Sequence, residues 1–146
     1  MSSVRRILQI KGQDVWSTRP DAVVYDALRL MADKDIGALL VLEGQQLVGI
    51  ISERDYARKI ILQGKSSKET LVKEVMTRNV FTVHPEQTMQ ECMEIMLEKR
   101  IRHLPVVIEG RVMGVVSIGD VVNDIIYQQK VSIKNLENQL RGKKDS

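Results

Sequence analysis

Hydrophobic positions along the 146-residue chain fall into short blocks whose period switches between that of a helix and that of a strand. Val4, Ile7 and Leu8 stand at helical spacing, and Gly12 ends that first segment. Val15-Trp-Ser-Thr18 reads as a short extended piece leading to Pro20, whose ring pushes Arg19 toward an extended backbone. After Asp21, the positions Val24, Ala27, Leu28, Met31 and Ala32 recur on one face while Asp26, Arg29 and Asp33 take the other, which predicts an amphipathic helix. Ala38–Leu42 is an apolar run too short for an independent helix and predicts a buried strand. Glu43-Gly-Gln45 is its turn, and Leu47–Ile51 pairs back as the second arm of a hairpin. Ser52 opens a further helix with Tyr56, Ala57, Ile60 and Ile61 on one side. The polar stretch 63–70 is a surface linker, and Leu71, Val72, Val75 and Met76 form a short amphipathic turn that re-enters the fold.

The same order of blocks then returns. Val80-Phe-Thr-Val-His-Pro85 echoes Val15-Trp-Ser-Thr-Arg-Pro20, and Met89, Cys92, Met93, Met96 and Leu97 make a second helical stripe. Leu104–Ile108, the turn at Glu109-Gly110 and Val112–Val116 make a second hairpin, and Ser117 opens the last helix. At a spacing of sixty-five, residues 15–61 align with 80–126 without a gap and share twelve identities, among them Pro20/Pro85, Gly49/Gly114, Ser52/Ser117 and Asp55/Asp120. Repetition of this kind means two copies of one β-α-β-β-α unit. A unit of that size leaves one sheet face bare, so the two copies are expected to pack by pseudo-twofold symmetry, in an α+β fold. The expected domains are residues 11–64 and 71–130, with a short N-terminal segment before them. Val131, Ile133, Leu136 and Leu140 continue the apolar spacing, so 131–146 is expected to be a helical extension that serves self-association, a homodimer being the simplest form.

Composition narrows the class of protein. A hydrophobic content of 43% with 28% charged residues suits a globular chain. One Trp, one Phe and three Tyr leave an aliphatic core and few platforms for stacking single-stranded bases. The net charge of +3 is too small and too terminal, at Arg5, Arg6, Arg141, Lys143 and Lys144, for a dedicated nucleic-acid stripe. The single cysteine, Cys92, excludes an internal disulfide and a cysteine-rich metal site. No run approaches a membrane span, and the first residues lack a signal-peptide pattern, so the expected location is cytoplasmic, with no membrane partner.

The chemistry concentrates in one phrase written twice, Gly49-Ile-Ile-Ser-Glu-Arg-Asp55 and Gly114-Val-Val-Ser-Ile-Gly-Asp120. Serine followed at the third position by an acid, at a strand-to-helix junction, is a helix capping box. The same junction, duplicated across a pseudo-twofold axis, is also a place where an anionic ligand can meet a helix N-terminus. Ser117, His103 and Asp120 could be imagined as a hydrolase, but Ser117 and Asp120 lie one helical turn apart and no nucleophile elbow, metal cluster or Walker loop is present. A ligand-free interaction module, or a weak nucleic-acid binder using the basic tail, is the other reading.

Ordered and duplicated, the Pro20 and Pro85 stretches, the amphipathic helix, Ile101-Arg-His-Leu-Pro-Val106 and the two Gly-x-x-Ser-x-x-Asp phrases resemble a tandem pair of CBS domains, the module named after cystathionine β-synthase. The resemblance runs from about Lys11 to Tyr127. It implies a sensor that binds an adenosine-containing molecule such as AMP, ADP, ATP, NAD(H) or S-adenosylmethionine, needs no catalytic cofactor or metal, and acts on a further protein that the sequence does not identify. It implies that Asp55 and Asp120 accept hydrogen bonds from ribose, and that Ser52 and Ser117 meet phosphate. Thr18, Arg19 and Pro20 with Val83, His84 and Pro85 would frame an adenine, with Ala22, Ala27, Gln87 and Cys92 nearby. Arg54, Arg102 and His103 would face phosphate, with Lys11 and Arg19 as lesser candidates. Arg102 and His103 also read as an ordinary solvated cation and a strand-edge histidine. Repeat one has Gly37-Ala38 where repeat two has Arg102-His103, and repeat two has Gly119 where repeat one has Arg54, so the two sites are expected to be unequal.

Overall fold

The structure, a computed structural model, describes residues 2–144; Asp145 and Ser146 of the expected C-terminal extension lie outside them. Repeat one contains β1 (Ser17–Thr18), α2 (Val24–Lys34), β2 (Ala38–Glu43), β3 (Gln46–Ser52) and α3 (Glu53–Tyr56), which runs on as a π-helical turn, Ala57–Ile61. Its sheet has the order β1-β2-β3, with β1 parallel to β2 and β3 antiparallel. Repeat two contains α5 (Met89–Lys99), β4 (His103–Ile108), β5 (Arg111–Ser117) and α6 (Ile118–Lys144). The two hairpins share their register: Ala38 pairs with Ser52 and Val41 with Gly49, as His103 pairs with Ser117 and Val106 with Gly114, and each has an irregularity just past Val41 or Val106.

The first strand expected in repeat two is reduced to a single parallel bridge, Val83 to Val106. Val83 still donates to the Pro105 carbonyl at 3.0 Å and accepts from Val107 N–H at 2.9 Å, so the path of the chain is kept although a strand is not formed. The final helix of the repeat and the expected extension are one continuous helix, α6, of 27 residues.

Each repeat has its own aliphatic core. Val24, Ala27, Met31, Leu39, Val41, Ile51 and Ile60 fill the first, and Met89, Cys92, Met96, Leu104, Val106, Val116 and Val121 the second. Val83 completes the second, and the remaining buried core residues come from the two lead segments, which are exchanged. Helix α1 (Val4–Lys11) precedes repeat one but places Val4 and Leu8 in the core of repeat two. Helix α4 (Val72–Val75) precedes repeat two but places Val72, Val75 and Met76 in the core of repeat one. The N-terminal helix, expected outside both repeats, is thus an internal part of the second.

The hydrogen bonds show that the two leads are equivalent. Val4 and Arg5 N–H donate to the Gln87 and Pro85 carbonyls at 2.8 and 2.9 Å, while Val72 and Lys73 donate to Ala22 and Pro20 at 2.8 and 2.9 Å. Gln87/Ala22 and Pro85/Pro20 are partners at the sixty-five spacing, whereas Val4/Val72 and Arg5/Lys73 are sixty-eight apart. Three extra residues between Leu8 and Val15 account for the difference, and they lengthen α1 by a turn that ends at Lys11.

The exchange also explains the glycine of the repeated phrase. A Cβ at Gly49 would lie 2.7 Å from Met76 Sδ and 3.0 Å from the Thr77 carbonyl; one at Gly114 would lie 2.7 Å from Leu8 Cδ2. A strand without a side chain at that point lets the lead segment lie against it without displacing these atoms.

Candidate functional site

Both Ser-x-x-Asp phrases form the caps that the spacing predicts. Ser52 Oγ accepts from Asp55 N–H at 3.2 Å while Asp55 Oδ2 accepts from Ser52 N–H at 3.0 Å, and Ser117 and Asp120 repeat the exchange at 3.2 and 2.8 Å. Beyond the cap the two aspartates differ. Asp55 is buried: its Oδ2 also accepts from Ser52 Oγ at 3.1 Å, and its Oδ1 meets Thr77 Oγ1 at 3.3 Å and Lys59 Nζ at 3.0 Å. Both of its oxygens are engaged within repeat one. Asp120 Oδ2 pairs with Lys11 Nζ at 2.6 Å, and the same ammonium donates to the Val115 carbonyl at 2.9 Å. Lys11 belongs to the extra turn of α1 and has no counterpart in the second lead.

Between the repeats, where β3 and β5 approach one another, lies an open cleft of about 400 Å³. Its polar rim carries Lys11, Asp14, Asp35, His103 and Ser117, and Trp16 forms one apolar wall. Leu40, Ile50 and Val115 lie at its apolar base. Lys34 Nζ stands 4.2 Å from the Trp16 ring centroid, close enough for a cation–π contact. Lys99 takes the same position 5.1 Å from Phe81 in repeat two, so the aromatic–lysine pair belongs to the repeat itself.

At the pseudo-symmetric position the repeats are joined by Arg54, whose Nη1 donates to the Arg100 carbonyl at 3.1 Å. The residues matching Arg54 and Arg100 are Gly119 and Asp35. The two sides therefore differ among the described residues: an arginine side chain links the repeats on one, and a glycine stands at the matching place on the other.

His103 lines the open cleft and lies close to Gly37, at which a Cβ would sit 3.8 Å from His103 Cε1. Burial pushes its pKa below the ordinary histidine value, the positive charges of Lys11 and Arg102 push it the same way, and Asp120 opposes them. His103 is therefore neutral at physiological pH and supplies a hydrogen-bonding edge rather than a charge.

Several residues expected to frame a ligand lie elsewhere. Arg19 and Pro20 line a separate outer depression with Lys73 and Arg78, and Arg19 pairs with Asp21 at 3.5 Å. The Pro20, Ala22, Pro85 and Gln87 carbonyls accept from the lead segments, and Gln87 Oε1 accepts from His84 N–H at 2.8 Å. Thr18 is in the β1–β2 ladder, where it faces Val41, and Val83 bridges Val106. Ala27 and Cys92 are core residues, and burial raises the Cys92 thiol to about 11. Arg102 is exposed and does not line the cleft. The open cleft is instead framed by the earlier part of the lead, at Lys11, Asp14 and Trp16. Of these the sequence pattern pointed only to Lys11. The signal for Asp14 was the likeness of Val4-Arg-Arg-Ile-Leu to Val72-Lys-Glu-Val-Met, which leaves three extra residues between Leu8 and Val15; Trp16 lies on the gapless alignment, opposite Phe81.

Comparison with known proteins agrees with this architecture. The CBS domain family model matches residues 7–62 and 72–127. The mitochondrial CBS domain-containing protein CBSX3 of Arabidopsis thaliana is 39% identical over 97% of this chain and 73% of its own length. The CBS domain NE2398, known from a crystal structure, is 47% identical and superposes with a TM-score of 0.83 over 86% of this chain and 98% of its own. A hexameric CBS-CP12 protein from bloom-forming cyanobacteria is 29% identical, with a TM-score of 0.74 over 82% of this chain and 66% of its own.

Proposed function

The chain belongs to the CBS-domain family as a tandem pair, and on that premise we propose that it is a regulatory module that binds one adenosine-containing molecule and has no catalytic activity of its own. The observation that carries this reading is the open cleft of about 400 Å³ between the repeats, with Trp16 on one wall and the Ser117–Asp120 cap of a 27-residue helix at its edge. An aromatic face suits a purine. A carboxylate at the far side suits the paired hydroxyls of a ribose, since it only accepts hydrogen bonds.

In this reading Asp120 takes the ribose, Ser117 lies beside it at the start of α6, and Trp16 lies against the base. Asp55 and Ser52 hold the fold of repeat one, and Arg54 links the two repeats on the opposite side. The open cleft is lined from both repeats, so a ligand there favours one arrangement of the repeats over another. It can then shift the state of a partner protein to the extent that its affinity differs between arrangements.

Self-association is part of the same proposal. Val122, Ile126, Ile133, Leu136 and Leu140 are exposed along α6, and a second copy of the helix is the partner whose apolar stripe matches them. The CBS-CP12 protein to which this chain is similar is hexameric.

Isothermal titration with adenosine, AMP, ADP, ATP, NADH and S-adenosylmethionine tests the reading. Saturable heat from at least one of them, with about one site per chain, supports it. No heat from any of them at millimolar concentration overturns it.

A further inference from the structure

The charges around the open cleft are the reverse of those that a polyphosphate would need. Among the described residues, Lys11 is the one lysine or arginine that lines it, and its ammonium is already held by Asp120 at 2.6 Å and by the Val115 carbonyl at 2.9 Å. Asp14 and Asp35 line it as well, both exposed. The described lining thus holds two carboxylates, Asp14 and Asp35, and one ammonium that Asp120 already pairs, while Lys34, over Trp16, and Arg102, whose charge reaches His103, stand outside it.

The guanidinium groups that the repeat could supply are placed away from it. Arg54 joins the repeats at the Arg100 carbonyl, and the positions equivalent to this arginine pair are Gly119 and Asp35. Repeat two thus presents hydrogen, and repeat one a carboxylate, where the opposite side has two arginines. His103 is held neutral by its burial and by Lys11 and Arg102. A nucleotide with several phosphates would bring several negative charges to a lining whose free charges are carboxylates, with no unpaired cation among its described residues to receive them.

Building on the reading of the cleft as an adenosine site, we propose that it takes an adenosine whose 5′ substituent carries little or no negative charge, a free nucleoside or one bearing a sulfonium or ammonium group, and discriminates against di- and triphosphates. The cationic substituent lies toward Asp14 and Asp35, and Lys11 remains on Asp120 or yields it to the ribose.

The test uses Trp16, the chain's single tryptophan, which lines the cleft and reports on its occupancy by fluorescence, with calorimetry in parallel. Adenosine, S-adenosylmethionine, AMP and ATP are titrated into the intact protein and into Asp35→Asn and the Asp14→Asn, Asp35→Asn double variant. Asparagine is chosen at 35 because it tolerates the left-handed backbone found there, φ 54°. The expected result is that S-adenosylmethionine and adenosine bind at least tenfold more tightly than ATP, and that the gap narrows at least threefold in the double variant. ATP binding as tightly as adenosine, or an unchanged gap in the double variant, overturns the charge selection while leaving the adenosine reading in place. Saturation by none of the four overturns both.

Discussion

Arg54 reaches from the helix after β3 to the carbonyl of Arg100, at 3.1 Å, and so joins the two repeats on one side, while Gly119 is the matching residue on the other. The pair makes occupancy a property of two side chains. Gly119→Arg is expected to bar the open cleft with the link that Arg54 makes on the opposite side. A Cβ at 119 meets nothing closer than Ser117 Oγ at 3.6 Å, so the substitution fits the fold. Adenosine affinity should fall at least tenfold with the urea midpoint nearly unchanged. Arg54→Gly should open a second cleft at a stability cost of about 1 kcal/mol or less, because the bond it removes is exposed. Titration of both variants against the same ligand, read as the number of sites per chain, is the check.

The two capping aspartates should separate stability from binding. Asp55 uses both oxygens inside repeat one, so Asp55→Ala is expected to cost roughly 2 to 3 kcal/mol, from the lost cap and the stranded partners Thr77 and Lys59. Asp120 is less enclosed, and its removal frees Lys11 rather than burying it. Asp120→Ala should cost about 1 kcal/mol of stability and most of the ligand affinity. Urea unfolding beside calorimetry distinguishes them; equal losses in both assays would contradict the division of roles.

Much of this arrangement was legible in the sequence. The gapless spacing of sixty-five located both hairpins, their turns and both Ser-x-x-Asp caps, because strand register and cap spacing are local and survive duplication unchanged. The exchange of the lead segments was not legible at that spacing. Val4 and Leu8 show helical periodicity, which says that one face is buried and not which core buries it. The open cleft depended in part on this missing step, since Lys11 reaches it at the end of α1, which is seated on repeat two, while Trp16 is placed by repeat one, where its carbonyl accepts from Leu40 N–H. Arg54 and Gly119 were recognised as unlike, but the direction of the inequality required the position of the Arg100 carbonyl, which belongs to the other repeat.

The glycines against which the leads pack should respond unequally. At Gly114 a methyl group meets the end of the Leu8 side chain, which can turn aside; at Gly49 it meets the backbone carbonyl of Thr77 as well as Met76. Gly49→Ala is therefore expected to be the costlier change, roughly 2 to 3 kcal/mol against about 1 kcal/mol for Gly114→Ala. Leu8→Ala, which leaves a cavity in repeat two, should cost about 2 to 4 kcal/mol. Denaturant midpoints of the three variants give the order.

His103 predicts a pH dependence with a definite sign. Its pKa in the fold lies below the ordinary 6.5, chiefly through burial. Between the two values the unfolded chain holds the extra proton, so stability rises with pH there. The contribution is fully present above the ordinary value and is lost as the pH falls through it toward the folded one. Removing the imidazole removes that loss: His103→Gln should lose less stability than the wild type between pH 7.5 and pH 5.5. A wild type and variant that fall in parallel would show that His103 exchanges no proton on unfolding in this range.

Helix α6 predicts an assembly that depends on its exposed stripe. Ile126, Ile133 and Leu140 recur every seven residues with Leu136 between the last two, the spacing at which a second helix can seat side chains between its own. Ile133, Leu136 and Leu140 are 57%, 60% and 61% exposed in the single chain, and no described element of either repeat buries them. Pairing with a second copy would take this surface out of water at about 25 cal/mol per Å² before the cost of association. Ile133→Glu with Leu136→Glu should leave the circular dichroism and ligand binding of the repeats intact and reduce the sedimenting mass to that of one chain. A wild-type protein that already sediments as a single chain at tens of micromolar would show that the stripe serves another partner.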